Sequence, residues 1–128
     1  AMTNSLEDYL ETIYLLVQAN GGARVRDVAL ALHVKMPSVI KAVLELKKHG
    51  YVTQEPYGAV DLTEAGARAA SEILGRHTLL KKFLILIKVS DETAEKDACA
   101  MEHFLSPETL ARITEFVKAN SRKGRTGR

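Results

Sequence analysis

Apolar side chains recur every three or four positions along most of this chain, which is the spacing of an amphipathic helix. The first such stretch follows Ser5, which we expect to be its N-terminal cap because an acid stands three residues later. Asn20-Gly21-Gly22 ends it. Its apolar positions are Leu6, Tyr9, Leu10, Ile13, Leu16 and Val17. The pattern predicts a first helix that ends near residue 20.

Two shorter helical stretches come next. The first covers residues 27–32, and a turn at 33–36 separates it from the second. The second begins at Pro37, which suits the first position of a helix, and ends at Gly50, which suits the position just after one. The sequence therefore predicts a helix-turn-helix.

Two short strands joined by a turn at Pro56-Tyr57-Gly58 follow this pair. Helix, short helix, turn, helix and hairpin is the order of a winged helix-turn-helix, in which the later short helix reads DNA. We therefore expect a DNA-binding domain at residues 5–63, with its wing at about 51–63.

The rest of the chain is predicted to be helical, so the fold class is mainly α. Thr63 can cap a long helix that begins near Glu64, and further helices start at Ser90-Asp91 and Ser106-Pro107. We expect residues 64–119 to form a second, α-helical domain. The basic stretch 120–128 is predicted to be disordered because it is rich in Gly, Ser, Arg and Lys.

The charge distribution supports a nucleic-acid partner near the predicted recognition helix. Residues 24–60 contain six bases and three acids, although the whole chain has a net charge of only +2. Pro37 and Val39 are candidates for contact with thymine methyl groups. The predicted DNA-binding residues are Arg24, Arg26, Lys35, Pro37, Ser38, Lys41 and Tyr57.

The only cysteine stands in a stretch with metal-ligand chemistry. The helix that starts at Ser90-Asp91 is predicted to carry Cys99, Glu102 and His103, which would then share one face. A thiolate, a carboxylate and an imidazole on one face indicate a transition-metal site, and further ligands are sought elsewhere. The six candidate ligands are Asp8, Glu11, His77, Cys99, Glu102 and His103. An ion held by all of them would link the first helix to the second half of the chain.

Several motifs resemble, in order, the diphtheria toxin repressor family of metalloregulators, which includes iron-dependent repressors and manganese transport regulators. The resemblance covers about residues 5–117. Its most specific marks are Leu6-Glu7-Asp8-Tyr9-Leu10-Glu11-x-Ile13-Tyr14, Val25-x-Asp27-Val28-Ala29-x-Ala31-Leu32, Leu62-Thr63-x-x-Gly66, Arg76-His77 and Cys99-x-x-Glu102-His103-x-Leu105-Ser106.

The resemblance implies a metal-dependent repressor of metal-uptake genes that binds a palindromic DNA operator as a homodimer. It is strongest to the two-domain, manganese-type members. It implies that a divalent ion binds between the first helix and the middle helices, at the six candidate ligands. The second domain would also form the dimer. Its last apolar stripe is the candidate interface, or else core: Leu110, Ile113, Phe116 and Val117.

The predicted ligand set is a hybrid within that family. Asp8 and Glu11 resemble the manganese branch, whereas Cys99 resembles the iron branch, in place of a further glutamate. We expect Mn²⁺ or Fe²⁺ as the effector, with one or two ions per subunit. Zn²⁺ or Co²⁺ can bind in vitro, because affinity rises along the series from Mn²⁺ to Cu²⁺.

Other readings of these residues are open. Cys99 could be an oxidisable thiol in a redox-responsive winged-helix regulator that binds no metal. It could also be an enzyme nucleophile with His103 as base, but no oxyanion loop accompanies the pair. A structural metal protein without DNA binding is a third reading. No apolar run long enough for a membrane span and no secretory signal are visible, so we expect a cytoplasmic protein without a membrane partner.

Overall fold

The computed structural model describes residues 2–56 and 58–126, with side chains described through residue 121. Within these residues the chain forms six α-helices and one two-stranded sheet, so the mainly α prediction is confirmed. The elements in chain order are α1 (Asn4–Asn20), α2 (Val25–Leu32), α3 (Met36–Lys48), β1 (Val52–Gln54), β2 (Val60–Leu62), α4 (Glu64–Leu86), α5 (Asp91–Met101) and α6 (Pro107–Thr126). Two compact units divide the chain, Ala1–Ile73 and Leu74–Arg128.

The first unit packs its helices and its hairpin around one apolar core. Leu10 and Ile13 of α1, Val28 of α2 and Leu46 of α3 are all fully buried in it. Burying a side chain of this size contributes about 1.5–3 kcal/mol. The order of helices and strands that the sequence predicts for this unit is confirmed. The core of the unit holds α3 in place.

The hairpin is tied to the turn between α1 and α2. β1 and β2 pair antiparallel, with Val52 opposite Leu62 and Gln54 opposite Val60. Ala23 adds a bridge, because its N–H donates to the Val60 carbonyl at 2.8 Å and its carbonyl accepts from the Val60 N–H at 2.7 Å. The wing is thereby attached to the segment that leads into α2.

Helix α4 begins tightly against the start of the hairpin. The Thr63 hydroxyl accepts from the Gly66 N–H at 3.0 Å and donates to the Gly50 carbonyl at 2.6 Å, so Thr63 caps α4 as predicted. A Cβ at residue 66 would collide with the carbonyl group of Tyr51. Only glycine fits there, which gives a structural reason for Gly66 in the motif that begins at Leu62.

The first helix begins earlier than the sequence predicts. Thr3, which has extended backbone angles, accepts a hydrogen bond from the Leu6 N–H on its side-chain oxygen at 3.1 Å. Thr3 is therefore the N-terminal cap, and the prediction of Ser5 is wrong. Ser5 lies inside the first turn instead, where its backbone is already helical.

The second unit has its own core, formed by parts of α4, α5 and α6. Two leucines, two alanines and two residues of the last apolar stripe are buried together: Leu80, Leu84, Ala94, Ala98, Ile113 and Val117. The Phe116 ring meets Phe83 edge to face with centroids 5.6 Å apart and stays 41% exposed. Two of the four residues in the predicted dimer stripe, Ile113 and Val117, are therefore buried in the core of this unit. Phe116 is the exposed residue of the stripe.

The last helix runs further than expected. The sequence predicts disorder over residues 120–128, whereas α6 continues to Thr126. Asn120 stays within the helix and donates from Nδ2 to the Phe116 carbonyl at 2.8 Å. Arg and Lys are good helix formers, and no proline interrupts the segment. In the described part of the chain, no helix is both long and apolar enough to span a bilayer.

Candidate metal centre and nucleic-acid interface

His77 lies in a cluster of metal-ligating side chains in the second unit. Its Nδ1 is 2.9 Å from Oε1 of Glu102 and 3.7 Å from Sγ of Cys99. Its Nε2 is 2.9 Å from Oε2 of Glu95. Two predicted ligands, Cys99 and Glu102, therefore lie near Nδ1 of His77, which is itself a predicted ligand. The carboxylate near Nε2 belongs to Glu95, which was not predicted.

Helix α5 positions Cys99 and Glu95 on one face. They are four residues apart, about one helical turn, so both point the same way. Ser90 caps this helix as predicted, because its Oγ accepts from the Thr93 N–H at 3.4 Å. Ligand atoms of His77, Glu95 and Cys99 all lie within 4.8 Å of one another.

The end of α5 differs from the prediction. The helix ends at Met101, so Glu102 is its C-terminal cap and His103 lies beyond it. The prediction that one helix carries all three of the Cys99, Glu102 and His103 ligands is therefore wrong. Further along, Ser106 caps α6 by accepting from the Thr109 N–H at 3.3 Å.

Glu102 nevertheless keeps its place in the cluster. Its N–H donates to the Ala98 carbonyl at 3.0 Å, and its backbone angles are still helical. Its side chain is 1% exposed and reaches His77 with one oxygen, while the other lies 3.8 Å from Nε2 of His103. A buried carboxylate is costly unless it is paired, and the two imidazoles provide partners.

Arg76 supports Glu102 from the backbone side. Its Nε donates to the Glu102 carbonyl at 3.0 Å, which satisfies a carbonyl at the C-terminal end of α5 with a cation. Arg76 thus contacts the main chain of Glu102, and the adjacent His77 contacts its side chain. Arg76 belongs to one of the motifs that carry the resemblance, but the sequence pattern predicts no role for it.

An ion-pair network surrounds Glu95. Lys81 Nζ lies 3.1 Å from Oε1 of Glu95 and 3.7 Å from Oδ1 of Asp91. The hydrogen bond from Lys81 lowers the pKa of the Glu95 carboxyl, and the charge of Lys81 and the nearby His77 ring act in the same direction. The same hydrogen bond raises the pKa of Lys81. Glu95 is therefore held as a carboxylate, although half of its side chain is exposed.

The two distances at His77 Nδ1 are compatible with ligands of a metal ion. Bonds of about 2.05 Å to nitrogen and about 2.3 Å to sulfur put those atoms about 3.1 Å apart at a right angle and about 3.6 Å apart at the tetrahedral angle. The Nδ1 to Sγ distance of 3.7 Å is close to the second value. The Nδ1 to Oε1 distance of 2.9 Å matches a right angle between nitrogen and oxygen ligands.

The remaining predicted ligands lie in the first unit. Asp8 and Glu11 are three residues apart on α1, with Asp8 exposed and Glu11 half-buried. Residues at this spacing share a helix face. Their place in the ligand set stays a prediction.

The predicted DNA-binding residues that lie in the described part of the first unit are exposed. Lys35 precedes α3, and Pro37, Ser38 and Lys41 lie on its first turns. Arg24 and Arg26 stand at the start of α2. One groove is lined by both arginines, by the start of α3 and by the turn of the wing: Arg24, Val25, Arg26, Met36, Gly58 and Ala59. Tyr57 lies outside the described residues.

The outer face of α3 carries apolar side chains that the sequence did not single out. Met36, Ile40 and Leu44 follow one another at every fourth position and are 46%, 49% and 53% exposed. Val39, the predicted partner of a thymine methyl group, is fully buried, so that prediction is wrong. The rotation of α3 about its axis instead leaves Ile40 facing solvent.

Two family models match the chain. Residues 1–60 match the N-terminal DNA-binding domain of iron-dependent repressors, and residues 63–125 match their metal-binding and dimerisation domain. The HTH-type transcriptional regulator MntR of Geobacillus kaustophilus is 42% identical over 116 residues, which are 91% of this chain and 82% of that protein.

Solved structures agree with this comparison. The IdeR structure from T. acidophilum superposes with a TM-score of 0.76 at 29% identity, over 90% of this chain and 54% of that one. A structure described as a manganese-dependent transcriptional repressor in complex with manganese gives a TM-score of 0.79 at 27% identity, over 88% of this chain and 52% of the other. The chain spans about half the length of these two structures.

Proposed function

The chain belongs to the iron-dependent repressor family, and from that premise we propose that it is a repressor whose DNA binding depends on a divalent transition metal. Members of this family are transcription regulators, so an enzymatic role for Cys99 is set aside. The redox alternative is not favoured, because Cys99 shares its surroundings with other metal-ligating side chains.

The observation that supports metal dependence is the surroundings of His77. One imidazole nitrogen lies 2.9 Å from an oxygen of a buried carboxylate and 3.7 Å from a thiol sulfur, which are distances compatible with a bound ion. His103 stands on the other oxygen of that carboxylate. Imidazole, thiolate and carboxylate together suit first-row divalent ions.

We propose Mn²⁺ or Fe²⁺ as the effector. Carboxylates favour Mn²⁺, and the similar structure described as a manganese-dependent repressor with manganese supports that ion, whereas the Cys99 thiolate favours Fe²⁺ and the later metals. Zn²⁺ and Co²⁺ are expected to bind in vitro with higher affinity. The ligand set suits one or two ions per subunit.

The first unit is the proposed DNA reader. Its exposed lysines and arginines would contact phosphates, and the N-terminal turns of α3 would enter the major groove. Ile40, rather than Val39, would contact thymine methyl groups, because it is exposed on the same face as Met36. A homodimer would place two such readers about 34 Å apart on a palindromic operator of metal-uptake genes.

The proposed switch includes the two carboxylates of α1. If Asp8 and Glu11 complete the ligand set, as the sequence predicts, then metal binding restrains the helix that supports α3. A coupling free energy of about 1–3 kcal/mol would make DNA binding about 5- to 150-fold tighter.

The test begins with the DNA itself. Binding sites are selected from random duplexes with and without Mn²⁺ at moderate salt, and affinities are then measured by fluorescence anisotropy. We expect selection only with metal, and a palindromic sequence. The double variant Glu102→Gln with His103→Ala should lose the metal response, while the matched variant Glu92→Gln on the exposed face of α5 should keep it. Equal DNA binding with metal, with chelator and in the double variant would contradict the proposal, and a response to peroxide alone would favour the redox reading.

A further inference from the structure

The two nitrogens of His77 face different partners. Nδ1 faces Cys99 and Glu102, which are both predicted metal ligands. Nε2 faces Glu95, which neither the sequence prediction nor the family resemblance includes. A neutral imidazole carries one proton and one lone pair, so it binds an ion through one nitrogen and donates from the other.

We propose that Glu95 is a positioning residue that decides which nitrogen of His77 binds the metal. Its carboxylate accepts the Nε2–H of the imidazole and so leaves the lone pair on Nδ1, towards Cys99 and Glu102. This inference rests on the proposed function, because it concerns the same ion. A hydrogen bond from the outer nitrogen to a carboxylate also fixes the ring plane and makes the ligand more basic.

Lys81 and Asp91 hold Glu95 in that role. The Lys81 ammonium occupies the oxygen of Glu95 that does not contact His77, and Asp91 contacts the same ammonium. Each oxygen of the carboxylate therefore already has a cationic or N–H partner. The side chain is half exposed, so without this anchor it would be free to rotate into solvent.

Geometry argues against Glu95 as a direct ligand to the same ion as Glu102. The two carboxylates lie at opposite nitrogens of one ring, each at 2.9 Å. A single ion binds only one of those nitrogens. An ion at Nε2 would also have to displace Glu95 from its hydrogen bond and compete with the Lys81 ammonium for the carboxylate.

The decisive measurement identifies the metal-bound nitrogen. Full-length protein labelled with ¹⁵N-histidine is loaded with ¹¹³Cd²⁺, and scalar coupling between cadmium and nitrogen is recorded by NMR. We expect coupling to Nδ1 of His77, with the proton on Nε2. Coupling to Nε2 would overturn the inference and leave the proposed function intact, because the ion would still be bound. Absence of cadmium binding would overturn both.

Variants test the supporting carboxylate. Glu95→Ala should weaken Co²⁺ binding about 10- to 100-fold, the usual effect of losing such an outer hydrogen-bond partner. Glu95→Gln retains an oxygen that accepts from Nε2–H and should lose much less. Lys81→Met should fall between these two, and Glu92→Gln should match the unaltered protein.

The coordination itself should be unchanged in these variants. The thiolate-to-cobalt absorption of Cys99 should persist at saturating Co²⁺ in Glu95→Ala, because the ligands stay the same. Equal losses in Glu95→Ala and Glu95→Gln, with an altered cobalt spectrum, would identify Glu95 as a direct ligand and overturn its positioning role.

Discussion

Replacing Glu102 with glutamine tests the metal centre at its most buried member. The amide keeps the size of the side chain and can still hydrogen-bond to the two histidines that flank the carboxylate. It removes the negative charge and a strong oxygen ligand. Without metal, we expect the free energy of unfolding to change by about 1 kcal/mol or less, because a lost charge-assisted hydrogen bond is offset by easier burial.

The effect of metal should differ much more. At a free Mn²⁺ concentration 1,000 times the Kd, binding stabilises the folded state by about 4.1 kcal/mol. If the variant binds about 100-fold more weakly, the same concentration stabilises it by only about 1.4 kcal/mol. At about 5 °C per kcal/mol for a unit of this size, the expected rise in Tm is about 20 °C for the unaltered protein and about 7 °C for Glu102→Gln.

Calorimetry of the full chain with and without Mn²⁺ measures this difference directly. Because the chain has two compact units, the transition of the second unit is the one expected to move. Glu92→Gln provides the control for loss of an exposed acid from α5. A metal-induced shift in Glu102→Gln as large as in the unaltered protein would refute the assignment of this carboxylate as a ligand.

Three further predictions concern other parts of the chain. Gly66→Ala should destabilise the first unit by about 3 kcal/mol in urea titrations, because the new methyl group meets a backbone carbonyl. Gly75→Ala should instead stabilise its helix by up to about 1 kcal/mol, because a methyl group there meets nothing within 4 Å. Lys41→Ala should lower the slope of log affinity for DNA against log salt by about 0.9, and an unchanged slope would exclude a phosphate contact there. The Glu95 carboxyl has a lowered pKa in the folded state. The stabilisation from its pair with Lys81 is therefore present above the unfolded pKa and is lost as the pH falls through the folded pKa. In denaturant titrations, the difference in stability between the unaltered protein and Lys81→Met should shrink on acidification below about pH 4.5.

The sequence predicted the order of elements well because apolar periodicity and helix-stop residues are local signals. It failed where two local signals competed. Thr3 and Ser5 both offer a capping hydroxyl, and the backbone, not the residue type, decides between them. Cys99 and His103 were expected to be neighbours on one helix, but α5 ends at Met101, between them.

The site shows the same limit. Glu95 stands one helical turn before Cys99, so periodicity could have placed it on the ligand face, but its value depends on where α4 brings His77. Lys81 lies outside every motif on which the resemblance rests. Val39 and Ile40 are equally apolar neighbours, and only the rotation of α3 in the folded unit decides which of them meets solvent.

The exposed sulfur of Cys99 offers a chemical probe of ion binding at the proposed centre. It is the only cysteine among 128 residues and lies beside His77. A coloured thiol reagent would therefore modify a single atom, and would do so more slowly once that atom is engaged by an ion. Occupancy could then be followed in the purified protein from the rate of this reaction. The same accessibility means that alkylating or oxidising conditions during purification would silence the centre before any titration began.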